Sequence, residues 1–244
     1  MITLLVMTDG RSMFLEPTLK AVDEQNKLLG PVTRKLIHDD SGDAEYSEWL
    51  NAKYGDRYEI FSTGRRSGFG GAIISAWKQL QNDDNEWVFH LEDDFVIQEV
   101  LPLAEMMTVM DQNPHLVQMA LRRQAWNEQE KAAGGIVEQD PDSYTERDNG
   151  LHTWLEHTKF FTTNPSLYRK SLTQEHPWPT GIHSEGRYGI ELFSNGIYKS
   201  GYWDQRLVPP RFYILVSLET EMVTDEGVWY LYGEKCRRYY WLHR

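Results

Sequence analysis

The stretch Trp87-Val88-Phe89-His90-Leu91-Glu92-Asp93-Asp94-Phe95 joins an apolar run to three consecutive acids. An apolar run of this length without polar alternation suits a strand buried on both faces, as in a parallel sheet. The acids then stand where the strand leaves the core. Hard divalent cations such as Mg²⁺ bind oxygen, commonly through one or two protein carboxylates completed by substrate phosphates. A solvated turn, or a helix start that favours acids, has the same composition. The meaning of the triplet therefore depends on what other strands deliver beside it.

Upstream, strand and helix patterns alternate. Ile2–Thr8 is a second apolar run, followed by the turn Asp9-Gly10-Arg11-Ser12. Leu15, Leu19, Val22, Leu28 and Leu29 recur at near-helical spacing, with Pro17 tolerable in a first turn and Gly30-Pro31 as the stop. Val32–His38 reads as a strand, and Asp43 as the cap of a helix carrying Tyr46, Trp49 and Leu50. Tyr58–Phe61 reads as a strand. The glycine-rich loop Gly64–Gly71 leads into a helix with Ile73, Ala76, Trp77 and Leu80. Downstream, Val100–Met110 reads as a helix, its methionines as core filler, and Leu116–Leu121 as a strand. This alternation predicts an α/β fold: a single Rossmann-like, mostly parallel sheet flanked by helices.

The character changes after about residue 122, which divides the chain into halves 1–121 and 122–244 of one domain. Gln124–Gly150 is polar and poorly patterned, as a loop-rich insertion or lid would be. Phe160–Thr163 reads as a strand, Asn164-Pro165-Ser166 as the start of a short helix, and Glu185–Lys199 as a helix. Leu207–Leu218 and Val228–Tyr232 are strand candidates, and Lys235–Arg244 is a basic, aromatic tail.

Composition narrows the function classes. In 244 residues, 25 Lys and Arg face 37 Asp and Glu, a net charge of −12 that disfavours a protein coating nucleic acid. The single cysteine, Cys236, excludes an intramolecular disulfide and a cysteine-cluster zinc site. Met1–Met7 lacks a basic leader region and is too short to span a bilayer, which sets the expectation of a cytoplasmic protein without a membrane partner. Nine Trp and 13 Tyr favour a ligand cleft, although most such residues serve the core.

Open parallel sheets bind ligands beyond the carboxyl ends of their strands. The first strand delivers Thr8, Asp9 and Arg11; the second, Asp39 and Asp40; the third, Gly64, Arg65, Arg66 and Gly68; the fourth, Glu92, Asp93 and Asp94. One rim thus gathers carboxylates and arginines, a setting for a divalent cation and a phosphate. Asp39 starts either an Asx turn or a contact to a base edge or ribose. The glycine loop matches neither the P-loop nor the dinucleotide fingerprint, yet Arg65 and Arg66 suit a diphosphate.

Taken in order, "LIHDDSGD" (Leu36–Asp43), "GFGGAIISAW" (Gly68–Trp77) and "WVFHLEDDF" (Trp87–Phe95) resemble the family 2 glycosyltransferases and their relatives, with the A-type glycosyltransferase fold. The resemblance covers about the first 100 residues and implies a nucleoside-diphosphate sugar donor, a UDP-sugar being favoured. It assigns Thr8, Asp9, Arg11, Asp39, Arg65, Gly68 and Asp93 to that donor, and Asp94 with Glu92 to Mn²⁺ or Mg²⁺. In the second half, "FFTTNPSLYRK" (Phe160–Lys170) resembles an acceptor-side floor. "HSEGRYGIELFSNG" (His183–Gly196) resembles the helix whose first acid is the general base, here Glu185, with Glu191 as second candidate. Relatives often place a metal-contacting His where Leu231 stands, and His243 is the substitute candidate. The implied activity is a metal-dependent, inverting sugar transfer to a hydroxyl, on a protein or a modified nucleic acid. A nucleotidyltransferase and a non-catalytic nucleotide-sugar binder are the competing readings.

Overall fold

A computed structural model describes residues 1–24, 30–82, 84–97, 100–123, 125 and 127–203, and the backbone of 216–217. Leu28, Leu29, Val228–Tyr232, most of Leu207–Leu218 and the tail with His243 lie outside the described residues.

The first half follows the expected alternation: β1 (Ile2–Thr8), α1 (Ser12–Glu24), β2 (Val32–Asp39), α2 (Ala44–Tyr54), β3 (Glu59–Ser62), α3 (Gly68–Leu80), β4 (Trp87–Glu92), β5 (Phe95–Val96), α4 (Leu103–Gln112) and β6 (Leu116–Ala120). The second half adds α5 (Glu128–Ala133), α6 (Ile136–Gln139), β7 (Thr145–Asp148), β8 (Thr153–His157), β9 (Ser166–Arg169), α7 (Leu172–Glu175), α8 (Ser184–Phe193), β10 (Lys199–Trp203) and β11 (Val216–Ser217). Among the described residues, nine strands form one sheet in the order β3-β2-β1-β4-β9-β6-β10-β8-β7, and β11 pairs with β5 apart from it. Within the large sheet β9 and β8 run against the rest, so the sheet is mostly parallel.

Strand periodicity divides the core. Ile2, Leu4 and Val6 of β1 join one cluster with Leu15 and Leu19 of α1, Leu50 of α2 and Met106 of α4. Leu5 and Met7 point the other way and join Ile73 and Trp77 of α3 with Tyr188 and Leu192 of α8. All seven β1 residues are buried, which is why that strand shows no polar alternation.

Several local expectations need correction. Pro17 is the sixth residue of α1, past the first turn, where it removes one intrahelical hydrogen bond. Phe160–Thr163 is not a strand but the loop before one. Ser166 begins β9, not a helix, because Ser166–Arg169 is inserted antiparallel between β4 and β6 and pairs on both edges. The helix from residue 184 stops at Phe193 rather than Lys199, and Lys199–Trp203 becomes β10. Within the stretch expected as a loop-rich insertion, the described residues 127–150 form the short elements α5, α6 and β7 with loops between them.

Two glycines bring separate segments together. Gly42 has φ +69°, and a Cβ there would lie 2.6 Å from the Arg66 nitrogen, so the loop after β2 rests on the loop after β3. A Cβ at Gly189 would lie 2.7 Å from the Phe161 nitrogen, so α8 docks directly on the backbone before β9.

Candidate active site

A cleft of about 450 Å³ opens along the carboxyl ends of the parallel strands. Thr8 and Asp9 reach it from β1, Asp40 from β2, Arg66 from the loop after β3, Glu92 from β4 and Arg123 from beyond β6. Because β9 runs backwards, the loop that precedes it arrives at the same rim and supplies Thr162, Thr163 and Asn164. The start of α8 closes that side with Glu185.

The donor-side wall is a charged network. Arg11 Nε pairs with Asp9 Oδ1 at 2.8 Å, Nη1 with Asp94 Oδ2 at 3.2 Å, and Nη2 with Asp93 Oδ1. Arg66 Nη2 holds the other Asp9 oxygen at 2.6 Å. The Thr8 hydroxyl donates to Asp93 Oδ2 at 2.7 Å, and Thr18 donates to the Asp93 carbonyl at 2.7 Å. Burial pushes the Asp93 carboxyl up to about 7, against the pull of Arg11 and the Thr8 hydrogen bond. Asp94 is likewise raised by burial, with Arg11 opposing. Glu92 is raised by burial and by the neighbouring charges of Asp94 and Glu185.

Asp39 and Asp40 take different parts. Asp39 is fully buried; its Oδ1 accepts from the Ser41 nitrogen at 2.8 Å and its Oδ2 from the Ser47 hydroxyl at 2.5 Å. Those bonds form the Asx turn and tie it to α2. Asp40 lines the cleft and accepts from the backbone nitrogens of Ser67 (3.0 Å) and Gly68 (2.8 Å). Ser67 makes no side-chain cap of its own, so Asp40 satisfies the start of α3 from another strand.

On the acceptor side, Glu185 Oε1 accepts from the Thr163 nitrogen at 2.7 Å and from its hydroxyl at 3.1 Å. His183, two residues before it, has φ +54°, the one positive φ at a non-glycine among the described residues. Left-handed backbone outside glycine is uncommon and concentrates at functional sites. Here it sets the chain's entry into α8.

Of the residues expected from sequence, Thr8, Asp9, Arg11, Gly68, Glu92 and Glu185 line this cleft, and Asp93 and Asp94 stand directly behind Arg11. Arg65 does not line it, whereas Arg66 does, held to Asp9. Glu191 does not line it either: its side chain is 64% exposed, 4.0 Å from Arg187 on the outer side of α8. Asp39 is in the turn beneath. Asp40, which the strand-end pattern brings to the rim, lines the cleft together with Phe69, Arg123 and Thr163, which carry no individual assignment from the sequence. Arg123 follows β6, so it reaches the rim from a strand's carboxyl end as the loops after β1, β2, β3 and β4 do. Thr163 belongs to the segment that resembles an acceptor-side floor, but its contact with Glu185 depends on the direction of β9.

A divalent cation fits this wall in one specific respect. Asp94 Oδ1 is buried with no hydrogen-bond partner among the described residues, an acceptor that a cation would satisfy. No group of three or more His, Cys, Asp or Glu side chains among the described residues is arranged to hold a metal. Ions that take one or two carboxylates and complete their shell with phosphates need no such group.

No protein-family profile matches the chain, and no curated protein sequence does. Solved structures do. A mannosyltransferase from Pyrobaculum calidifontis, in complex with GDP-Man and Mn²⁺, matches with a TM-score of 0.60 at 12% identity over 91% of this chain and 58% of that one. Staphylococcus aureus TarS 1–349 matches with a TM-score of 0.57 at 11% identity over 85% of this chain and 58% of that one. The chain has the A-type glycosyltransferase fold. It spans 58% of the length of these two relatives. CMP:2-keto-3-deoxy-manno-octonic acid synthetase with CTP matches with a TM-score of 0.51 at 12% identity, over 87% of this chain and 93% of that one. An A-type sheet therefore accommodates more than one use of a bound nucleotide, and the site residues must distinguish them.

Proposed function

We propose that the protein is an inverting glycosyltransferase that moves a sugar from a nucleoside-diphosphate sugar to an acceptor hydroxyl with the help of Mn²⁺ or Mg²⁺. The observation that carries this reading is the placement of Glu185 in the same cleft as the acidic end of β4 and the Asp9–Arg11–Arg66 network. In a direct displacement at the anomeric carbon, the acceptor hydroxyl loses a proton as it attacks, and a carboxylate on the acceptor side takes it. Glu185 fills that role: Thr163 fixes one of its oxygens through two hydrogen bonds. On the donor side, Asp9 and Thr8 hold the nucleoside, and Arg11, Arg66 and the Asp40-tied start of α3 face the diphosphate. Asp94 and Glu92 would hold the cation, which when bound stabilises the departing diphosphate.

The mannosyltransferase relative with GDP-Man and Mn²⁺ supports a nucleotide-sugar donor and a divalent ion. A protein and a modified nucleic acid remain the acceptor classes to be screened. No described helix is long and apolar enough to cross a membrane. The test is release of nucleoside diphosphate from UDP-, GDP- and TDP-sugars, with and without Mn²⁺, in the presence of acceptor extracts. Turnover that needs the metal and fails in Glu185→Gln supports the reading.

The likeness to the octonic acid synthetase with CTP favours one second reading, a nucleotidyltransferase. That activity releases pyrophosphate from a nucleoside triphosphate, whereas sugar transfer releases a nucleoside diphosphate. Pyrophosphate from CTP or UTP and a sugar would overturn the first reading.

A further inference from the structure

Three carboxylates surround the guanidinium of Arg11. Asp9, Asp93 and Asp94 each pair with a different nitrogen, and the side chain also lies over the Phe14 ring, 5.3 Å from its centre. The partners differ in freedom. Asp93 is 0% exposed and held at both its carboxylate and its carbonyl by Thr8 and Thr18, and the Asp94 side chain is 14% exposed. Arg11 is 36% exposed and forms part of the cleft wall, which Asp93 and Asp94 do not. The guanidinium is therefore freer than Asp93 and Asp94, and it covers those two carboxylates from the cleft, which Asp9 lines beside it.

A divalent ion at Asp94 would meet this guanidinium as a like charge beside the same oxygens. Arg11 already takes Asp94 Oδ2 and leaves Oδ1 without a partner. A diphosphate entering the cleft offers Arg11 a competing anion, and guanidinium–phosphate pairing is strong and bidentate. We infer that Arg11 and a divalent cation compete for Asp94, so that the metal takes its place as the donor's diphosphate draws Arg11 away. The metal-free protein thus carries its own cation in the site, and metal affinity is coupled to nucleotide.

This inference rests on the reading of Asp94 as a metal ligand, and the test separates the two. Mn²⁺ binding to the metal-free protein is followed by the paramagnetic resonance of free Mn²⁺, without nucleotide and with GDP or UDP. Arg11→Gln should bind Mn²⁺ without nucleotide roughly tenfold more tightly than the unsubstituted protein, a coupling of ordinary size. Added nucleotide should then raise its affinity less than it raises that of the unsubstituted protein. Arg11→Lys keeps one charge but cannot span three carboxylates, and should show a smaller gain in the same direction. It carries the test if Arg11→Gln does not fold. Equal or weaker Mn²⁺ binding in the folded Arg11 variant overturns the competition. Asp94→Asn should lose Mn²⁺ binding in every condition. Undiminished binding there overturns the metal assignment itself, whatever the Arg11 variants do.

Discussion

At the scale of single residues, two acids on α8 separate by position alone. Glu185 lies in the first turn, in the cleft, with its Oε1 fixed by Thr163; Glu191 is exposed on the outer side. Glu185→Gln keeps size and hydrogen-bonding reach but cannot take a proton. Transfer should fall by roughly 10²- to 10⁴-fold, the usual cost of losing an acid–base group, while nucleotide affinity measured by calorimetry stays unchanged. Glu191→Gln should leave both near their starting values; the reverse pattern would move the base to Glu191. The sequence puts Glu185 at the helix start and Glu191 further along the same helix. It cannot show that the loop before β9 supplies the donor pair that holds one of them.

At the scale of elements, helix starts carry the site. Asp43 caps α2 within its own segment, its carboxylate accepting from the Glu45 nitrogen at 2.9 Å and the Tyr46 nitrogen at 3.3 Å. Asp43→Ala should lower unfolding free energy by about 1 kcal/mol in a urea titration, with nucleotide affinity unaffected. Asp40 caps α3 from β2, across a gap of 27 residues to Ser67. Asp40→Ala should cost about 1.5–3 kcal/mol, the range for hydrogen bonds to a charged group, and should also weaken nucleotide binding, since α3 starts in the cleft wall. Equal nucleotide affinity in Asp40→Ala would detach that helix start from the donor. The Asp43 cap is legible because cap and helix are neighbours in sequence. Asp40 is not, because in sequence it belongs to the preceding turn and only the packing of β2 beside β3 directs it at Ser67.

At the scale of the whole molecule, the half of the sheet beyond β9 has its own clamp. Glu156 on β8 is buried and accepts from Lys199 of β10 at 2.8 Å, Arg147 of β7 at 3.2 Å, His115 before β6 at 2.9 Å and the Trp154 indole at 3.3 Å. Burial works to raise its pKa, but the hydrogen bonds from Lys199, His115 and Trp154 outweigh it and hold the carboxyl at about 2. A carboxyl depressed in the folded state contributes stability above its ordinary value of 4.5 and loses that contribution as pH falls toward 2. Glu156→Gln should lower stability at pH 7 and flatten the loss between pH 4.5 and 2, both read from urea unfolding at fixed pH. An unchanged pH slope would show that Glu156 does not drive the acid limb. The sequence by itself determined the alternating first half, the mostly parallel sheet and the acids at the end of β4, because uninterrupted apolar strands, local caps and turns are properties of neighbours along the chain. Tertiary structure alone decided the rest: that Ser166–Arg169 is a reversed strand between β4 and β6, that Thr163 thereby meets Glu185, that Arg66 rather than Arg65 lines the cleft, and that Arg11 gathers three aspartates. Each depends on which distant segments the sheet makes adjacent and in which direction they run, and no short-range pattern of side chains encodes that.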